Sequence, residues 1–147
     1  MDAAREAEAP VDADKDGGQM LVGVVGPCSA GKTTLARGLR AAGYRVREIR
    51  QEHSGVPDMW RRMTNPDLLV YLDVSQEEAA RRERLDKPSS WWGVEREERL
   101  AHARAYCDCY VDTSTLTPHE VLERVLRCLR DGRLRWRGEQ PCDGGIC

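Results

Sequence analysis

The chain has 147 residues, a formal net charge of −2 and 33% charged residues, which is enough for one buried core and too little for two. The charge balance argues neither for nor against nucleic acid, and none is expected as a partner. No apolar run nears membrane-spanning length and the acidic start lacks the basic and apolar regions of a signal peptide, so no membrane contact is expected and the compartment is read as cytoplasmic.

Residues 1–18 carry Asp2, Glu6, Glu8, Asp12, Asp14 and Asp16 against Arg5 and Lys15, which puts −4 on this stretch and leaves +2 on the rest. It has almost no large apolar residue and is expected to be a disordered acidic tail. A single domain then fills 19–131. Residues 21–25 are apolar and β-branched, as a buried parallel strand requires. A glycine-rich loop follows, then a helix with Leu35 and Leu39 four apart that ends at Gly43. Residues 44–50 alternate apolar with charged, the pattern of a half-exposed strand. A polar stretch 51–55 leads to a short helix at 58–63, stopped by Asn65-Pro66. Residues 68–74 are a second apolar run and a central strand. Ser75 with Glu78 forms a capping box that opens a helix to about Leu85. A loop at 86–94 contains Trp91-Trp92, and a helix from Glu95 to about Tyr106 presents Leu100, Ala103 and Cys107 on one face. Residues 110–113 are a last short strand. Thr117, Pro118 and Glu120 form a second capping box, with Pro at the first helical position, opening a helix that buries Val121, Leu122, Val125, Leu126 and Leu129. Residues 132–147 are read as a flexible tail.

The cysteines are Cys28, Cys107, Cys109, Cys128, Cys142 and Cys147, with no C-x-x-C pair. Cytoplasmic thiols stay reduced, so free and partly buried thiols are expected. A disulfide or adventitious metal capture by Cys142 and Cys147 is the alternative.

The loop Gly26-Pro27-Cys28-Ser29-Ala30-Gly31-Lys32-Thr33 has the form G-x-x-x-x-G-K-T. Between a strand and a helix, this spacing lets backbone N–H groups of Gly26, Cys28, Ser29, Ala30 and Gly31 turn toward a polyphosphate, with a helix N-terminus behind them. Lys32 would reach the terminal phosphates, Thr33 would hold Mg²⁺, and Thr34 follows at the start of the helix. The pattern predicts binding of Mg-ATP.

Strands alternating with helices predict an α/β fold with a small, mostly parallel four-stranded sheet in a three-layer arrangement. The 44–50 and 68–74 strands are expected on either side of the first strand. That order brings Glu52 and Asp73 to the loop, where a carboxylate orders Mg²⁺ or takes a proton from the attacking hydroxyl. Glu52 is preferred; Asp73 in its position also suits simple capping of neighbouring backbone.

The loop resembles that of the small P-loop kinases, the superfamily of shikimate, gluconate, adenylate and thymidylate kinases. Residues 70–75 with 77–82 resemble the strand and helix leading into their mobile lid, here 83–98. Residues 99–106 resemble the helix after it, and 110–118 the final strand and adenine-side loop. The resemblance implies a P-loop NTPase fold and ATP-dependent phosphoryl transfer to a small-molecule acceptor. It implies that Lys32, Glu52 and Arg82 act in catalysis, that Thr33, Glu52 and Asp73 serve the metal, and that Thr115 and Pro118 lie against the base. The chain departs from that group in giving only residues 43–67 to the usual acceptor region, and it lacks the D-x-D motif and glycine triplet of the shikimate enzymes.

Other features admit two readings. Trp60 with Arg61 or Arg62 is either an acceptor pocket with an anion clamp, or a core tryptophan beside solvated arginines. Arg81, Arg82 and Arg84 hold a charge clamp or a basic helix face. Trp91-Trp92 is a latch, an interface patch or local packing. The alternative to a kinase is a nucleotide-binding regulatory module with weak ATPase activity. A third possibility is a subunit whose acceptor site is completed across a homo-oligomer interface.

Overall fold

The computed structural model describes residues 20–87 and 91–131. The tails read at 1–18 and 132–147 lie outside the described residues, as do residues 88–90 of the 83–98 segment. Strands β1 (Leu21–Val25), β2 (Arg45–Glu48), β3 (Leu68–Asp73) and β4 (Cys109–Asp112) form one sheet in the order β2-β1-β3-β4. Each neighbouring pair is parallel, with Val24 opposite both Glu48 and Val70, and Asp73 opposite Asp112. The flanking of β1 by the 44–50 and 68–74 strands is as the sequence predicts.

Parallel neighbours require crossover connections. Helix α1 (Lys32–Ala41) links β1 to β2, and a wide π-type turn at Trp60–Thr64 lies between β2 and β3. Helix α2 (Gln76–Arg82), a single turn at Trp91–Gly93, a π-type turn at Val94–Arg99 and α3 (Ala101–Tyr106) precede β4; α4 (Pro118–Asp131) follows it. The Thr117 capping box forms in full, whereas Ser75 caps its helix in one direction only, its own N–H going to Ser114 Oγ at 2.8 Å. Ser75 Oγ accepts from the Glu78 N–H at 3.1 Å, and Thr117 and Glu120 exchange reciprocal bonds at 2.9 and 3.1 Å.

Side chains alternate across a strand, so each central strand feeds two cores. On one face Val22, Val24, Val70 and Leu72 pack with Leu35 and Leu39 of α1 and Val121, Val125 and Leu129 of α4. On the other, Val25, Leu69 and Tyr71 pack with Ile49, Trp60, Leu100 and Ala103. Central strands covered on both sides explain the unbroken apolar runs, and edge strand β2 keeps its alternation because it is only half-buried. The result is an α/β architecture around a four-stranded, all-parallel sheet.

The structure corrects several boundaries. Strand β2 stops at Glu48 rather than at 50, because the chain turns into a 3₁₀ turn at Gln51–His53. Helix α2 ends at Arg82, with Arg84 in the left-handed region at φ 61° just beyond it. The helix read at 95–106 is divided between the π-type turn and α3, yet Leu100, Ala103 and Cys107 are all buried as that reading requires. Trp60 belongs to the core, 6% exposed, with its indole N–H donated to His102 Nδ1 at 3.1 Å.

The cysteine reading also needs correction. Cys109 and Cys128 form a disulfide with Cα atoms 6.3 Å apart, while Cys28 remains a thiol. Helix α4 returns across β4 and brings the two residues together from 19 positions apart, a proximity that spacing does not reveal. Among the described residues, no helix is long and apolar enough to cross a membrane.

Candidate functional site

The loop between β1 and α1 sits at the C-terminal edge of the sheet, where the chain leaves a central strand with neighbours on both sides. Gly26 comes so close to β3 that a Cβ there would lie 2.1 Å from the Leu72 carbonyl oxygen, so any side chain would force the loop off the strand. Ser29 (φ 71°) and Gly31 (φ 101°) take left-handed conformations that curl the loop into α1.

Lys32 folds back inside this curl. It is 8% exposed, and its ammonium donates to the carbonyls of Gly26 at 2.8 Å and Pro27 at 3.2 Å. Its charge is balanced by Glu52 Oε2 at 3.1 Å. Glu52 is itself 3% exposed and rides on the 3₁₀ turn after β2. Fully buried Gln51 anchors that turn, donating to the Val56 carbonyl and accepting from the Trp60 N–H, each at 2.8 Å. Glu52 Oε1 is buried and has no hydrogen-bond partner. The structure therefore brings Lys32 and Glu52 together, as the strand order predicts.

Asp73 is placed differently. Its carboxylate receives both Arg96 Nε at 2.8 Å and Nη2 at 2.5 Å, the Tyr110 hydroxyl at 2.5 Å and the Val74 N–H at 2.9 Å. Burial pushes its pKa up, but the hydrogen bonds of Arg96 and Tyr110 and the guanidinium charge outweigh that and hold it below the usual value. Burial, with the hydrogen bond to and charge of Asp73, raises the Tyr110 phenol against the opposing guanidinium of Arg96. Asp73 thus has its acceptor directions filled from within the chain.

Thr33 donates instead to Glu48 Oε1 at 2.8 Å. Sequence reasoning missed Glu48 because it extended β2 to residue 50. With the strand ending at Glu48, opposite Val24, the carboxylate falls next to the first turn of α1.

Arg82 reaches from the end of α2 to the loop and to the end of β4. It donates to the Ser29 carbonyl at 2.8 Å, the Thr113 hydroxyl at 3.1 Å and the Thr113 carbonyl at 2.6 Å, and pairs with Glu78 at 2.9 Å. Thr113 in turn donates to the carbonyls of Ala30 and Asp73, tying the loop to the end of β4. Beside Arg82 opens a cavity of about 700 Å³. Ser29, Ala30, Gly31 and Thr34 form one wall, and the 113–118 segment, with Thr115 and Pro118, forms another. Cys28, Lys32, Thr33 and Glu52 do not line it.

Two acidic side chains also reach the loop from far along the chain. Glu95 accepts from the Cys28 N–H at 3.2 Å and from its thiol at 3.6 Å, and Glu83 accepts from the Ser29 hydroxyl at 2.6 Å. Burial, reinforced by Glu95 and Glu52, pushes the Cys28 thiol up to about 11. Neither contact leaves a local sequence signal, since the partners are 67 and 54 residues apart.

The arginines at 61 and 62 both have partners within the chain. Arg61 lies over the rings of Trp60 and Tyr106 at 5.1 and 4.9 Å, and Arg62 pairs with Asp58 at 2.9 Å. Trp92 packs against the core near Arg96, while Trp91 is 58% exposed beneath Arg99. No protein-family model matches this chain, and no curated protein matches it.

Proposed function

We propose that the chain is a P-loop nucleotide-binding enzyme that takes ATP with Mg²⁺ and transfers the terminal phosphoryl group to a small acceptor. The observation that carries this reading is the curled 26–31 loop: it encloses the Lys32 ammonium and opens onto a cavity of about 700 Å³ framed by Arg82 and the 113–118 segment. The Cys28 N–H already holds a carboxylate oxygen, which supports the loop as an anion site. A triphosphate would replace Glu95 there and draw Lys32 from the two carbonyls. The neighbouring cavity has the size of a small-ligand site, with Thr115 and Pro118 against the base.

The Thr33 hydroxyl and Glu48 carboxylate are adjacent oxygen donors, and such hard donors suit Mg²⁺. Mg²⁺ supplies charge neutralisation along the phosphates when bound. Glu52, held beside Lys32, accepts the proton of the attacking hydroxyl. Arg82 steadies the loop through Ser29 and offers its guanidinium to charge that develops during transfer.

The occupied state of Arg61 and Arg62 favours a second reading, a nucleotide-dependent binding module with slow hydrolysis and no acceptor. ADP release from Mg-ATP, measured with and without a pooled metabolite extract, separates the two. Stimulation by the pool that vanishes in Lys32→Ala supports transfer. Slow release that no pool alters supports the module, and release that persists in Lys32→Ala rejects both.

A further inference from the structure

We propose that Cys28, Glu52, His53 and Glu95 form a binding site for one soft divalent cation of the Zn²⁺ class, set against the 26–31 loop. The Cys28 sulfur, a Glu52 carboxylate oxygen and a His53 ring nitrogen lie within 4.8 Å of one another. Ligands about 2.0–2.3 Å from a tetrahedral ion stand roughly 3.3–3.8 Å apart. His53 Nε2 is 3.6 Å from Glu52 Oε2, and Glu95 Oε2 is 3.6 Å from Cys28 Sγ. Spacings of this scale are therefore present within the His53–Glu52 pair and within the Glu95–Cys28 pair, contributed by three segments that the fold brings together, and Glu95 would close onto the Cys28, Glu52 and His53 group as the fourth ligand.

Glu52 gives an independent indication. It is 3% exposed, and its Oε1 is buried without a hydrogen-bond donor. A buried carboxylate oxygen with no partner is costly, and an ion at this position would satisfy it. Lys32 holds Oε2 at 3.1 Å, the oxygen that also faces His53, so the carboxylate would keep Oε2 on the ammonium and meet the metal through Oε1. Binding displaces the Cys28 proton to solvent, so the thiolate joins the two carboxylates as a third anionic ligand.

Thiolate and imidazole ligands favour Zn²⁺ over Mg²⁺, so this site is chemically distinct from the oxygen pair of Thr33 and Glu48. His53 is half-exposed and gives the ion a route from solvent. Bound metal would fasten the Val94–Arg99 turn to the loop through Glu95. The proposal shares Glu52 and Glu95 with the nucleotide reading but is tested without nucleotide, so its failure and the failure of that reading are distinguishable.

The test titrates the full chain with Co²⁺ alone, in thiol-free buffer. The expected result is a near-ultraviolet thiolate-to-cobalt band with visible bands of a four-coordinate ion, saturating at one equivalent and bleached by Zn²⁺. Cys28→Ser should remove the near-ultraviolet band. His53→Ala changes an exposed side chain that the core does not use, and should weaken Zn²⁺ by at least about tenfold, the scale seen even for lost outer partners. A Cys142→Ser/Cys147→Ser double variant should behave as the parent. An absent band, a band kept in Cys28→Ser, unchanged Zn²⁺ affinity in His53→Ala, or loss of the band in the double variant would each overturn the site.

Discussion

Glu48, Glu52 and Asp73 all stand at the C-terminal edge of the sheet, and their surroundings divide their roles. Asp73 is saturated by Arg96, Tyr110 and the Val74 N–H; Glu48 meets a hydroxyl; Glu52 meets an ammonium and keeps one oxygen bare. Asp73 should therefore act on stability. Asp73→Asn leaves the Arg96 guanidinium with exposed Glu97 as its remaining carboxylate partner and should cost about 1–3 kcal/mol in urea unfolding at pH 7. The pH dependence has a definite sign. Because the folded carboxyl lies below its usual value, its contribution is complete above the unfolded pKa of about 3.9 and fades as pH falls through the folded pKa. The gap between parent and Asp73→Asn should close in strong acid; a gap independent of pH would show that the ion pair does not set it. Glu52 is the opposite case. Glu52→Gln removes the charge beside Lys32, so ATP should bind at least as tightly by calorimetry, while transfer falls about 10²-fold or more for want of the base. Normal turnover in that variant would pass the role of base to another group.

At the level of elements, the apolar runs made β1 and β3 legible, and the Ser75 cap and the Thr117 box made the starts of α2 and α4 legible, because local pattern decides those features. Tertiary contact decides the rest. The end of β2 depends on Gln51 anchoring a 3₁₀ turn against Val56 and Trp60, and Glu48 was hidden by that boundary. Glu95 and Glu83 reach the loop only because the 83–99 region folds back over it, and Arg96 takes Asp73 away from the site. The Cys109–Cys128 bridge is the clearest case, since a compartment argument predicted free thiols while the docking of α4 on β4 pairs them. Closing a loop of this length should stabilise the fold by about 3 kcal/mol. Reduction, or Cys128→Ser, should lower the unfolding free energy by about that amount in paired denaturant curves. Equal stability with and without reductant would mean that α4 holds β4 by apolar packing alone.

For the whole molecule, charge sets the terms on which a polyanion can enter. The chain is net negative, and Glu48, Glu52, Glu83 and Glu95 all contact the 26–33 loop or its first helical residues. Among the described residues, Lys32 and Arg82 are the basic groups whose side chains bond to the loop, and both are already paired with carboxylates. A bare triphosphate would bring more negative charge into that surround, displacing Glu95 from Cys28 against repulsion from the remaining acids. The divalent ion should therefore govern binding itself, beyond any part in turnover. With Mg-ATP at about a hundred times its dissociation constant, linkage gives about 2.7 kcal/mol of stabilisation, on the order of 10 °C in melting temperature for a domain of this size. The same ATP concentration with EDTA should shift the transition by a small fraction of that, and Lys32→Ala should abolish the shift in either buffer. If ATP with EDTA stabilises the parent as much as Mg-ATP does, the acidic surround does not act on the nucleotide, and the phosphates must lie away from Glu48 and Glu52, against the Arg82 side of the loop.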